Sequence, residues 1–259
     1  MLVFSALTPH PPIMIPNVGG DNLKQIKNTV DAMEKLGDML AEKNPDSLII
    51  ISPHGGLLPQ AFTINLSPAL KANFKNFGDF VTEMNFPNDT VLGQTIKEET
   101  TLPTLYSNNE ELDHGASAPL FYLTQKTKNL PIVPLGYSFL SYEEHFKFGF
   151  ELQQIINKTD KRIAVIASGD LSHRLTAEAP AGFSPQGNIF DEKLINLIKE
   201  KDAQEILNLD KNLIEEAGEC GMRSLIILLG VLSRTEYQPE ILSYEGPFGV
   251  GYLVANFGV

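Results

Sequence analysis

Short apolar runs bounded by turn residues dominate the pattern of this chain. Stretches 47–51 and 162–167 are apolar almost without alternation, which predicts inner strands of a parallel or mixed sheet covered on both faces. Further strands are expected over Val3–Leu7, Ala61–Leu66, Ile132–Tyr137, Pro239–Ser243 and Gly251–Ala255. Between them the apolar period changes to that of a helix. Asp21–Glu42 carries Leu23, Ile26, Val30, Met33, Leu36, Met39 and Leu40 at helical spacing. Ala118–Thr127, Tyr142–Asn157, Asn188–Glu200 and the very apolar Gly221–Leu232 read the same way. Strands alternating with helices predict one α/β domain over residues 1–259, with a central mixed, largely parallel sheet flanked by helices. Segment 68–116 is the least patterned and reads as strand excursions or an active-site loop.

Composition narrows the class. With 42% hydrophobic and 20% charged residues, the chain has ordinary globular proportions and can fill a core. A net charge of −12 with no basic cluster argues against a nucleic-acid partner. The longest apolar stretch, Leu225–Leu232, is too short to cross a bilayer, so no membrane partner is expected. The N-terminal Leu-Val-Phe lacks the basic region of a signal peptide. The single cysteine, Cys220, excludes an internal disulfide and suits a reducing cytoplasm. Base rates alone allow a homodimer.

The candidate chemistry lies in the histidines. Of the five, four occupy turn-like settings: His10 between Pro9 and Pro11, His54 in Ser52-Pro53-His54-Gly55-Gly56, His114 after Asp113, and His173 closing Ser168-Gly169-Asp170-Leu171-Ser172-His173. Three of them follow strand-like runs. Ligands gather at the carboxyl ends of strands in open α/β sheets, so these imidazoles could converge on one metal or substrate. Prolines around His10 and His54 stiffen both loops, which favours fixed metal ligands over ordinary turn histidines. Asp170 stands close enough in sequence to orient His173 as a general base; the plainer reading is a turn cap. His114 reads equally as a substrate contact or a helix-start residue, and His145 as a residue on a helix surface. Two histidines leave a metal short of ligands. Glu219 would complete a two-His-one-carboxylate set, Cys220 a softer His₂Cys set, and Glu245 is a further carboxylate candidate. No dinucleotide loop, P-loop or G-x-S-x-G elbow accompanies them.

These segments together resemble the class III extradiol ring-cleavage dioxygenases, the superfamily of the protocatechuate 4,5-dioxygenase catalytic subunit, and are most similar to its Memo-like branch. The matching pieces are Thr8-Pro9-His10-Pro11-Pro12, Ser52-Pro53-His54-Gly55, Leu112-Asp113-His114-Gly115, Ser168–His173, Gly218-Glu219-Cys220-Gly221 and the stretch from Tyr244 to Tyr252. The resemblance implies a metal at strand ends held by His10, His54 and Glu219, with His173 as catalytic base and His114 facing the substrate. It implies Fe(II), with zinc or copper as alternatives, and a catechol-like aromatic substrate opened with O₂. In the Memo-like branch a cysteine matching Cys220 is the other ligand candidate, and the implied role is metal-binding or redox-regulatory without ring cleavage.

Overall fold

The computed structural model describes residues 1–259. All seven expected strands are present: β1 (Leu2–Thr8), β2 (Ser47–Ser52), β3 (Phe62–Asn65), β7 (Ile132–Gly136), β8 (Ile163–Ser168), β9 (Gln238–Glu245) and β10 (Tyr252–Gly258). With β6 (Thr104–Ser107) they form one eight-stranded sheet in the order β6-β3-β7-β2-β8-β1-β10-β9. The four middle strands, β7-β2-β8-β1, run parallel; β3 and β10 join them antiparallel, with β9 antiparallel to β10 and β6 parallel to β3 at the edges. The result is a single α/β domain with a mixed, mostly parallel sheet.

Successive side chains of a strand point to opposite faces, and the uninterrupted apolar runs follow from that. Ile49 and Ile51, with Val165 and Ala167, enter one core; Leu48 and Ile50, with Ala164 and Ile166, enter the other. Helices α5 (Tyr142–Lys158) and α9 (Met222–Leu232) pack over the first face, α2 (Lys27–Glu42) and α4 (His114–Leu123) over the second. The remaining helices are α1 (Pro16–Gly19), α3 (Thr90–Glu99), α6 (Pro185–Glu200), α7 (Ala203–Leu207) and α8 (Lys211–Ala217).

Three expectations shift. The Asp21–Glu42 helix begins only at Lys27, because residues 20–26 wind as a 3₁₀ segment. The helix expected from Ala118 starts four residues earlier, where the Asp113 carboxylate caps it by accepting the Ala116 N–H. His145, expected on a helix surface, is fully buried in α5, with Nδ1 2.7 Å from the Ser141 carbonyl and Nε2 3.1 Å from that of Ser138. The poorly patterned segment holds a separate two-stranded ribbon, β4 (Ala69–Phe74) and β5 (Asp79–Pro87), besides α3 and β6.

Candidate metal centre

Strands β2, β8 and β1 are neighbours, and each ends in a loop carrying one of the strand-following histidines. Their parallel register sets Thr8 beside Ser168 and Ile51 beside Ala167. His54, His173 and His10 therefore leave the sheet at the same edge. His10 Nε2 and His54 Nε2 lie 3.1 Å apart, and Cys220 Sγ is 3.7 Å from His10 Nε2. All three donor atoms fall within 4.8 Å of one another. Nitrogen and sulfur ligands about 2.0–2.3 Å from a common ion in tetrahedral array are separated by about 3.3–3.6 Å. The cluster fits one metal ion.

The protonation of His10 is fixed by a chain of contacts. Pro119, inside α4, has no N–H for the carbonyl of Gly115 four residues earlier. That carbonyl accepts the Ser168 hydroxyl proton instead. With its proton so engaged, Ser168 Oγ can only accept from His10 Nδ1, 3.0 Å away. His10 is thereby the Nδ1–H tautomer, and its Nε2 lone pair faces the centre. A second support fixes the loop: the His10 backbone N–H donates to Asp170 Oδ1 at 2.9 Å. His10 is almost completely buried, and burial, followed by the neighbouring His54, holds its pKa well below the ordinary value. The ring is neutral and ready as a ligand.

His54 is held differently. Its backbone N–H donates to Ser52 Oγ at 3.2 Å, and that hydroxyl donates to Asp113 Oδ1 at 2.5 Å. The ring meets His10 edge-on at 5.0 Å and stacks on His114 at 4.3 Å. One side remains open to solvent. Lost hydration against these neighbours, then the His114 ring, lowers its pKa to about 4. His114 is the first residue of α4, and Phe77, from the turn joining β4 to β5, meets it edge-on at 5.3 Å.

His173 approaches from the other side. The Gly218 carbonyl can only accept, so His173 Nδ1 carries the proton. Nε2 is left bare 4.0 Å from Cys220 Sγ. Asp170, expected to orient His173, makes no hydrogen bond with it and serves His10 instead: Oδ1 accepts the His10 N–H and Oδ2 lies 3.8 Å from His10 Nε2. Asp170 Oδ, His173 and Cys220 form a second donor group sharing the thiol. Burial pushes the Asp170 carboxyl up to about 7, against the His10 N–H that favours its anion.

The adjacent pair Glu219 and Cys220 points in opposite directions. Gly218 ends α8 at φ 63°, and the turn then presses Gly221 against Gly169, so closely that a Cβ on Gly169 would stand 2.1 Å from the Gly221 Cα. That contact brings Cys220 under the end of β8. Its N–H reaches the Asp170 carbonyl at 3.3 Å, and its sulfur accepts the Asp170 N–H at 3.3 Å. Glu219 joins neither donor group. Its Oε2 accepts the Met222 N–H at 2.6 Å, at the start of α9, where a carboxylate also meets the positive helix end. Burial pushes its carboxyl up to about 7. Glu245 is farther still in role, accepting from Thr29 N–H and Oγ1, both at 2.7 Å, in the first turn of α2. Burial raises the Cys220 thiol well above its ordinary pKa, with Asp170 and Glu219 adding to it. A bound cation reverses that preference and takes a thiolate.

Residues 5–255 match the family model of the catalytic LigB subunit of aromatic ring-opening dioxygenase. The chain belongs to the LigB family. A relative from Clostridium acetobutylicum is 35% identical over 260 residues, covering 96% of this chain and 56% of that protein, so the LigB chain spans about half its relative's length. The 3,4-dihydroxyphenylacetate 2,3-dioxygenase of Escherichia coli is 24% identical over 93% of this chain and 94% of its own. The crystal structure of an uncharacterized Escherichia coli K12 protein shares the fold at a TM-score of 0.72 and 18% identity, covering 99% of this chain and 100% of that one. LigB membership places this chain in the class III extradiol dioxygenase superfamily. No helix is long and apolar enough to cross a membrane.

Proposed function

We propose that this LigB-family chain is a metal-dependent oxidoreductase of the extradiol dioxygenase type, acting with O₂ on a small catechol-like aromatic. His10, His54 and Cys220 would hold the ion, with Fe(II) the expected metal and zinc or copper the alternatives. When bound, the ion supplies Lewis-acid polarisation of substrate oxygens and a place for O₂ to meet the ring. The observation that carries the reading is His173. Its Nδ1–H is committed to Gly218, and its free Nε2 faces the donor cluster. A base so placed can take a phenolic proton from a catechol. His114, stacked on His54 and walled by Phe77, offers a flat polar edge to an aromatic ring on the open side. Asp170 fixes the loop of His10 and so acts through it.

The test is oxygen uptake with a panel of catechols after anaerobic loading with Fe(II). Turnover is expected in the parent chain and lost in His173→Gln, with bound iron unchanged in both. Uptake that survives His173→Gln removes the base assignment. The presence of Cys220 where a carboxylate was expected supports a second reading, a Memo-like metal-binding or redox-regulatory protein without ring cleavage. Full iron occupancy with no oxygen uptake on any catechol would favour it.

A further inference from the structure

Two of the four arginines have polar partners. Arg162 forks onto the Lys43 and Asn44 carbonyls, its Nη2 2.6 Å from the former. Arg174 meets the Glu216 carboxylate at 3.3 Å. Arg234 stands over the Phe150 ring alone, and Arg223, in the first turn of α9, goes further in the same direction. No ion pair of the chain includes it. Its Nε is buried with no hydrogen-bond partner. Its guanidinium stands instead in a collar of rings, 5.2 Å from the Tyr142 centroid, 5.6 Å from Phe139 and 6.0 Å from Tyr137.

That collar opens on a pocket of about 460 Å³ between the start of α5 and the α7–α9 region. The size is within the range of small-molecule sites, roughly 300–1,000 Å³. Leu209 and Ile214 provide apolar walls opposite Phe139. Glu143, Lys211 and Glu215 are exposed at its edge, where water and salt screen them. Inside stand the guanidinium and the Glu219 carboxyl, which burial pushes up to about 7 and which makes no ion pair with Arg223. Facing rings offset part of the guanidinium's lost hydration, yet this half-buried group keeps an idle Nε donor that no group of the chain meets. A carboxylate matches the fork of a guanidinium with two parallel hydrogen bonds.

We propose that this pocket is a binding site for a small carboxylate carrying an aromatic or apolar body, the carboxylate pairing with Arg223 and the body lying between Phe139, Leu209 and Ile214. The site shares the Gly218–Cys220 turn with the metal centre but uses none of its donor groups. Its occupancy does not depend on the proposed reaction.

Phenylacetate, its neutral isostere phenylacetamide and inorganic phosphate are the probes, titrated into the metal-free chain with binding followed by backbone amide NMR and calorimetry. Phenylacetate is expected to saturate and to move the amides of Tyr142, Gly218 and Arg223. Phenylacetamide should bind at least tenfold more weakly, and phosphate likewise for want of a ring. Arg223→Gln should lose at least tenfold for phenylacetate, with Arg223→Lys between the two. The amide spectrum of each variant reports its fold; should Arg223→Gln unfold, discrimination between acid and amide by the parent chain decides. No binding of phenylacetate, equal binding of the amide, or equal binding in a folded Arg223→Gln would overturn the proposal. Phosphate binding as tightly as phenylacetate would overturn the ring-bearing ligand. Any of these results leaves metal loading and oxygen uptake untouched as tests of the centre.

Discussion

The two walls of the candidate metal centre are built on opposite principles. On the inner wall His10 is buried, its tautomer is set by Ser168, and its backbone is tied to Asp170. On the outer wall His54 keeps a face open, its Nε2 contacts only His10, and its ring leans on His114. Both contribute one nitrogen, yet only the inner one arrives with its geometry already determined. In the proposed reaction a fixed inner ligand with an adjustable outer one would let substrate enter beside the ion without disturbing its anchorage.

The sharpest way to break this contrast is to remove donors. His10→Ala and Cys220→Ser should each weaken metal binding by more than ~100-fold, whereas Glu219→Gln, whose carboxylate serves the start of α9, should change it by less than about threefold. Metal titration with a chelator competitor reads this directly; iron lost only from Glu219→Gln would restore the carboxylate triad. Next comes the inner support. Ser168→Ala removes the acceptor for His10 Nδ1–H and should cost ~10–100-fold in metal affinity, the usual weight of an orienting partner. Ser168→Thr keeps the hydroxyl and should rescue it. Equal affinity for the alanine variant would show that the tautomer needs no such help. On the outer wall, His114→Leu should raise KM for a catechol by about tenfold and leave metal affinity unchanged.

A separate effect, on stability and not on the metal site, concerns a histidine outside both walls. Burial, ahead of the Arg223 charge, holds His145 down to about 4, although two carbonyls favour its cation. Because the folded pKa is depressed below the ordinary 6.5, its contribution to stability is complete above pH 6.5 and disappears as pH falls towards 4. That loss amounts to about 3 kcal/mol. Denaturant melts between pH 7 and 4, with imidazole NMR titration, check the value; a His145 that titrates above 6.5 would mean the carbonyls prevail.

Legibility in the sequence differed between regions for the same kind of reason. Strands buried on both faces leave long apolar runs, and β1, β2, β7 and β8 were visible for that reason. Strand β5 is mostly exposed, with only Asp79 and Phe86 buried, so no run marked it. The histidine loops were visible because prolines and strand ends frame them. Which of Glu219 and Cys220 stands beside the histidines stays open in the sequence, since neighbours in one turn differ only in which way the turn faces. The close approach of Gly169 and Gly221 across fifty residues of chain goes with the placing of Cys220 there. Nothing in the sequence marks the contact of Ser168 with His10, or the ring-walled setting of Arg223, because both depend on elements distant along the chain. Asp113 could have been found from its place as a helix cap three residues before Ala116.

Pro119 turns a flaw in one helix into an instruction for another part of the fold. Replacing it by alanine would return a donor to the Gly115 carbonyl and make α4 a more regular helix. Ser168 would then be free to rotate its proton towards His10, and the ring could adopt either tautomer. A thermal melt should report a firmer protein while chelator competition reports a weaker metal site. Two properties that usually rise together would part company at a single proline.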